Sequence, residues 1–191
     1  MIPKKQNNLF PMVLIYGLAG VGKTTFALSG TKTLLFDIDD GSSELSEIYP
    51  IFALEKERFN TFENIVSTLK MFLEIKKGSS KEEYKDFLWM KEVRSIVIDS
   101  LSRIEDLAWK SLERQYDCQR NTGVLAFGAG DNYLKEKFKD LYEILSNIRR
   151  FATVTAICHA ELSKVKQMEG DFSRHDVKLT SKVKDLTAEM F

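Results

Sequence analysis

The sequence predicts an α/β fold in three layers, a mostly parallel sheet covered by helices on both faces. Three observations predict it. Short apolar runs recur along the chain, amphipathic stretches at helical spacing separate them, and a glycine-rich octapeptide joins the first apolar run to a helix-compatible one. Strands buried on both faces read as continuous apolar runs, and parallel strands need helical crossovers between them.

The elements follow in order. Met12 to Tyr16, after Pro11, is the first buried strand, and Thr25-Phe26-Ala27-Leu28 begins the first helix. Leu34-Leu35-Phe36 is the second strand. Asn60 with Glu63 resembles a capping box ahead of Ile65, Val66, Leu69, Phe72 and Leu73 at helical spacing. Ile96-Val97-Ile98 is a further strand. Ser102 with Glu105 marks the start of a helix carrying Leu107, Ala108 and Leu112 and closing near Cys118. Leu134, Phe138, Leu141, Leu145 and Ile148 draw the apolar stripe of another helix, capped by Asp131. Ala152 to Ile157 is a strand with interleaved threonines. Gly78-Ser79-Ser80 and Gly128-Ala129-Gly130 are the loop signals.

Bulk properties narrow the class. A length of 191 residues without internal repeat or low-complexity segment predicts one domain over residues 1–191. Lys plus Arg (28) balance Asp plus Glu (28), so any nucleic-acid face has to be local. Cys118 and Cys158 lack CxxC spacing, which argues against a zinc site, a redox motif or a disulfide. The N-terminus lacks the apolar run of a signal peptide, and no stretch reaches the roughly 18 apolar residues of a membrane span. A soluble cytoplasmic protein with no membrane partner is expected.

Gly17-Leu18-Ala19-Gly20-Val21-Gly22-Lys23-Thr24, followed by Thr25, fits G-x-x-x-x-G-K-[ST] between a strand and a helix. Glycines let successive backbone N–H groups turn inward onto phosphates, and the helix N-terminus adds partial positive charge. Lys23 then reaches the β- and γ-phosphates of ATP, and the Thr24 hydroxyl ligates Mg2+. Asp99, ending the run Ile96-Val97-Ile98, is the candidate second magnesium residue, held directly or through water. Ser100 either fixes that carboxylate or caps the next helix.

These segments resemble the RecA-like branch of P-loop ATPases, above all short phage-encoded proteins regarded as trimmed RecA-type recombinases. The resemblance rests on Gly17 to Thr25, Leu34 to Gly41, Ile96 to Ser100 and Thr155 to His159. It implies a RecA-like core, ATP hydrolysis, binding or annealing of single-stranded DNA, and a homo-oligomer or filament with a neighbour's Arg or Lys completing the site. Such a core usually continues into further sheet strands beyond the length of this chain. Phe36-Asp37-Ile38-Asp39-Asp40-Gly41 is similar to a D-x-E-G stretch whose glutamate activates water. Here Asp39 stands in that place, one methylene shorter, with Glu44 as a nearby substitute. His159 falls where the family carries a residue that senses the γ-phosphate and starts a mobile DNA-contacting loop.

Two segments are candidates for DNA contact. The polar run after His159 reads as a loop or flexible hairpin, with Lys164, Lys166, Arg174, Lys178, Lys182 and Lys184 for phosphates and Phe172 for a base. Glu161, Glu169, Asp171 and Asp176 dilute its charge, and a solvated surface loop explains the composition equally well. The second runs from Gln119 to Gly130, where Tyr116, Arg120 and Phe127 supply rings and charge. Its alternative is a plain connection between helices. Among other functions, a small-molecule kinase calls for an arginine-rich lid, and the arginines are scattered apart from Arg149-Arg150. A partition-type switch ATPase usually carries an extra lysine early in the loop, where this chain has Leu18 and Ala19. A nucleotide-binding module with little hydrolysis is the remaining alternative, and Asp39 in place of glutamate favours it.

Overall fold

The computed structural model describes residues 9–39, 41, 45, 48–49, 51–165 and 172–191, with the side chains of residues 53, 164, 165 and 172 excepted. The strands are β1 (Met12–Gly17), β2 (Thr33–Asp37), β3 (Ile51–Ala53), β4 (Ser95–Asp99), β5 (Thr153–Val165) and β6 (Phe172–Val177). The α-helices are α1 (Lys23–Ala27), α2 (Phe62–Lys76), α3 (Leu101–Tyr116), α4 (Ala129–Ile148) and α5 (Ser181–Met190). Among the described residues the order is β1, α1, β2, β3, α2, β4, α3, α4, β5, β6, α5. The sheet runs β1-β5-β4-β2-β3, all parallel, and β6 pairs antiparallel with the distal half of β5. This is the α/β arrangement expected of a P-loop nucleotide-binding fold.

Period-two alternation divides the core. Leu34, Phe36, Ile96, Ile98, Val154 and Ala156 face a large cluster with Ile65, Leu69 and Phe72 of α2, Ile104 and Ala108 of α3, and Phe138 and Leu145 of α4. Leu35, Val97 and Ile157 turn the other way and, among the described residues, form a small buried cluster with Ala27 and Leu28, with Ile15, Leu45, Tyr49 and Ile51 partly buried beside them. The three layers are therefore unequal. Three long helices cover one face, and the five-residue α1 covers much of what is protected on the other.

The helix starts differ from the expected ones. Thr61, not Asn60, caps α2 by accepting from Asn64 N at 3.1 Å. Glu63 instead accepts from Ser111 and from Lys137 of α4. Ser100, two residues before Ser102, caps α3. Gly128, with φ +78, precedes α4 without any side-chain cap, and Asp131 lies inside its first turn. Each apparent start signal holds several small polar residues, and the chain's entry angle decides which oxygen meets the free N–H.

One supposed loop also resolves differently. Gly130 lies within α4, where a Cβ would come within 2.8 Å of the Trp109 ring. The glycine permits close approach of α4 to α3. Of the loop and hairpin alternatives for the polar run after His159, the hairpin pairing is observed, residues 160–165 lying antiparallel to residues 172–177, with Ala160 opposite Val177 and Val165 opposite Phe172. Among the described residues no helix is long and apolar enough to cross a membrane.

Candidate nucleotide site

Strand order and register gather the candidate residues at one edge. β5 lies between β1 and β4, pairing Gly17 with His159 and Ile157 with Asp99, while Asp37 pairs with Asp99 across β4 and β2. These are the C-terminal ends of parallel strands, where open α/β sheets bind ligands.

The phosphate loop follows β1 at this edge. Gly20 (φ +77) and Gly22 (φ +83) are left-handed, with nothing within 4 Å of a built Cβ, so backbone conformation rather than space demands glycine. Leu18, Ala19, Val21 and Thr25 are exposed around the turn. The Lys23 ammonium donates to Gly17 O at 3.1 Å and Leu18 O at 2.7 Å, drawing the loop onto itself. Phosphate oxygens are stronger, charge-assisted acceptors for that ammonium than neutral carbonyls are. Because α1 has only five residues, its dipole is short, and the loop amides rather than a long helix carry the attraction.

Thr24 Oγ1 donates to Asp99 Oδ2 at 2.6 Å, linking α1 to the end of β4. Asp99 is 8% exposed. Burial raises its carboxyl above the ordinary aspartate value; the Thr24 hydrogen bond opposes this, Asp39 and Asp37 raise it further, and His159 lowers it. A divalent cation bound beside this carboxylate would favour its charged form. Magnesium takes oxygen ligands, often one or two from protein with phosphates and waters completing the shell. The Thr24–Asp99 pair fits that donor set. Among the described residues no group of three or more His, Cys, Asp or Glu side chains is arranged to hold a metal by itself.

Asp39 lies just past β2. Ile38 N and Asp39 N donate to Asp99 O at 2.7 and 3.2 Å, folding this segment over the end of β4. Its Oδ2 accepts from Ser100 Oγ at 2.7 Å and sits 2.9 Å from His159 Nε2. Of the two alternatives for Ser100, capping is the one observed. Ser100 caps α3 through Arg103 N at 3.3 Å, and the carboxylate it holds is Asp39 rather than Asp99. Asp40 and Glu44 lie outside the described residues.

His159 is held from behind. Its backbone N–H donates to Ser102 Oγ at 3.2 Å, and its carbonyl accepts from Lys178 N at 2.8 Å. Ser102 Oγ also donates to Lys178 O at 3.1 Å. Glu105, the other half of the expected capping signal, accepts from both the N–H and the hydroxyl of Thr180 at 2.8 Å, ahead of α5. Both side chains knit α3 to the hairpin and α5.

Asp39 and His159 also line a cavity of about 740 Å3, to which no phosphate-loop residue contributes. Asp37, Lys56, Arg103 and Lys178 line it too. Asp37 opens the D-x-E-G-like stretch and Lys178 is one of the candidate DNA contacts, whereas no sequence signal marks Lys56 or Arg103, which only the folded chain brings to Asp39.

Residues 10–191 match the family described as AAA domain. The chain belongs to that family. An AAA domain is a P-loop nucleotide-binding module of the ATPase type, and such ATPases generally use ATP with Mg2+. No curated protein matches the chain.

In this AAA-domain chain the candidate DNA-contact residues are mostly engaged internally. Arg174 and Lys184 pair with Asp176 at 3.4 and 3.3 Å, and Lys184 also lies 3.6 Å from Glu161. Lys182 donates to Asn132. The Arg120 guanidinium sits 4.1 Å over the Trp109 ring, and the Tyr116 ring lies 5.0 Å from that of Tyr133. Phe127, with φ +52, is fully exposed. Lys166, Glu169 and Asp171 and the side chains of Lys164 and Phe172 lie outside the described residues. Arg149 donates to Phe10 O at 3.1 Å and so anchors the segment before β1.

Proposed function

We propose that the chain is a magnesium-dependent ATPase of the RecA-like type that works on single-stranded DNA, as a homo-oligomer in phage-type recombination. One observation carries the ATPase reading. The Thr24–Asp99 bond and the Asp39–His159 pair lie at adjoining strand ends beside Lys23. Gly17 to Thr25 wrap the triphosphate, and Lys23 exchanges its loop carbonyls for β- and γ-phosphate oxygens. Thr24 and Asp99 hold magnesium, which neutralises phosphate charge. Asp39 accepts a proton from the attacking water as its oxygen bonds to the γ-phosphorus. The bond to the bridging oxygen breaks, and ADP leaves with that electron pair. His159 stands where it can trade Asp39 for a γ-phosphate oxygen and pass that change to the hairpin it begins.

The DNA and assembly parts rest on the four resembling segments. Exposed Leu18, Val21 and Phe26 around the loop, and exposed Phe127, are apolar surface such a role would use. A second reading, a nucleotide-dependent switch with little hydrolysis, is favoured by the short Asp39 side chain having one oxygen already bonded twice.

ATP turnover with and without single-stranded DNA separates these readings. The ATPase reading expects turnover that DNA raises several-fold, loss of turnover in Lys23→Ala, and a fall of roughly 100-fold in Asp39→Asn, in the range of general-base catalysis. Binding without DNA-stimulated turnover would contradict it in favour of the switch.

A further inference from the structure

We infer that Ser100 is a positioning residue that orients Asp39 for attack by water. The inference rests on the assignment of Asp39 above.

Asp39 needs orientation. It lies two residues past the end of β2, belongs to no helix or strand, and keeps 27% of its side chain exposed. A carboxylate on such a segment samples several rotamers, and a general base misplaced by about 1 Å loses much of its rate. Ser100 is fully buried at the rigid junction of β4 and α3. Its oxygen accepts from Arg103 N at 3.3 Å, and its single proton goes to Asp39 Oδ2 at 2.7 Å. The helix cap therefore fixes the acceptor side of the hydroxyl and aims its proton.

The bonds to Asp39 are asymmetric. Ser100 and His159 both meet Oδ2, and among the described residues no hydrogen bond falls on Oδ1. One oxygen is held, and the other remains to accept from water. Ser100 also follows Asp99 directly, and Asp99 O accepts from Ile38 N and Asp39 N. Two adjacent residues thus set the spacing between the carboxylate that meets Thr24 and the base. A serine acting only as a helix cap requires none of this.

The test exploits the difference between capping and donating. Glycine at an N-cap costs only a few tenths of a kcal/mol relative to serine, so Ser100→Gly removes the donor and largely spares the helix. Steady-state ATP turnover and equilibrium Mg·ATP binding are measured for wild type, S100G, S100T, D39N and the S100G/D39N double variant. The expected result is a fall in kcat of about tenfold in S100G, as for loss of a hydrogen bond to a charged group, with Mg·ATP affinity changed less than about twofold. S100T, which keeps the hydroxyl, should recover most of the rate. Adding S100G to D39N should cost no further rate, because the serine acts through the carboxylate. Wild-type kcat in S100G beside a slow D39N overturns the role of Ser100 and leaves Asp39 standing. Losses that multiply in the double variant also overturn it. Undiminished turnover in D39N overturns the Asp39 assignment itself, and the inference with it.

Discussion

Cys158 shows how burial decides chemistry at a single position. Its thiol is buried beside Ser102 Oγ at 3.1 Å, and burial pushes its pKa up to about 11 while the Ser102 contact pulls it down. The neutral thiol therefore persists well above neutral pH, and thiolate is the reacting species. At pH 8 the folded protein should consume one equivalent of a thiol reagent, at half-buried Cys118, and a second only after denaturation. Rapid titration of two thiols would contradict the packing behind His159. At this scale the sequence was legible where the chemistry is local. Gly17 to Thr24 are contiguous, and Asp99 ends an apolar strand. The meeting of Ser100 and His159 on Asp39 was not legible, since the partners lie 61 and 120 positions away. Only the order of the strands brings them together.

Among the elements, the interiors of β2, β4 and the first half of β5 were readable, because strands buried on both faces leave continuous apolar runs. β1 carries the same apolar run but is an edge strand, mostly half-buried with Tyr16 exposed, and not the doubly buried strand its sequence predicts. The three-residue β3 is too short for any period. The β5–β6 segment is polar, so its composition leaves loop and hairpin open, and the register that makes it a hairpin is not visible in it. Gly130 looked like punctuation for the same reason: composition does not tell a turn glycine from one required by packing. Its surroundings make a sharp prediction. A methyl at Gly130 would lie 2.8 Å from Trp109, itself 4% exposed, and 3.0 Å from the Leu125 carbonyl. Alanine gains up to about 1 kcal/mol of helix propensity over glycine, whereas overpacking costs about 1–3 kcal/mol. Gly130→Ala should therefore lower unfolding stability in urea, despite the better helix former. A stabilised variant would show that α3 and α4 do not approach this closely.

For the molecule as a whole, the decisive feature is that β5 runs between the phosphate-loop strand and the strand of Asp99. That order puts His159 beside Gly17 and carries the same strand on into the hairpin, so one element connects the candidate site to the far end of β5. Among the described residues the helices are spread unevenly, with the main core under α2, α3 and α4 and α1 on the opposite face. In the proposed function this edge binds a nucleoside triphosphate through the loop amides and Lys23. Calorimetric titration of the purified chain with Mg·ATP measures that binding. Saturable binding is expected, near one equivalent, that Lys23→Ala abolishes or weakens by more than tenfold. No binding by the wild-type chain, or equal binding by the variant, would contradict it.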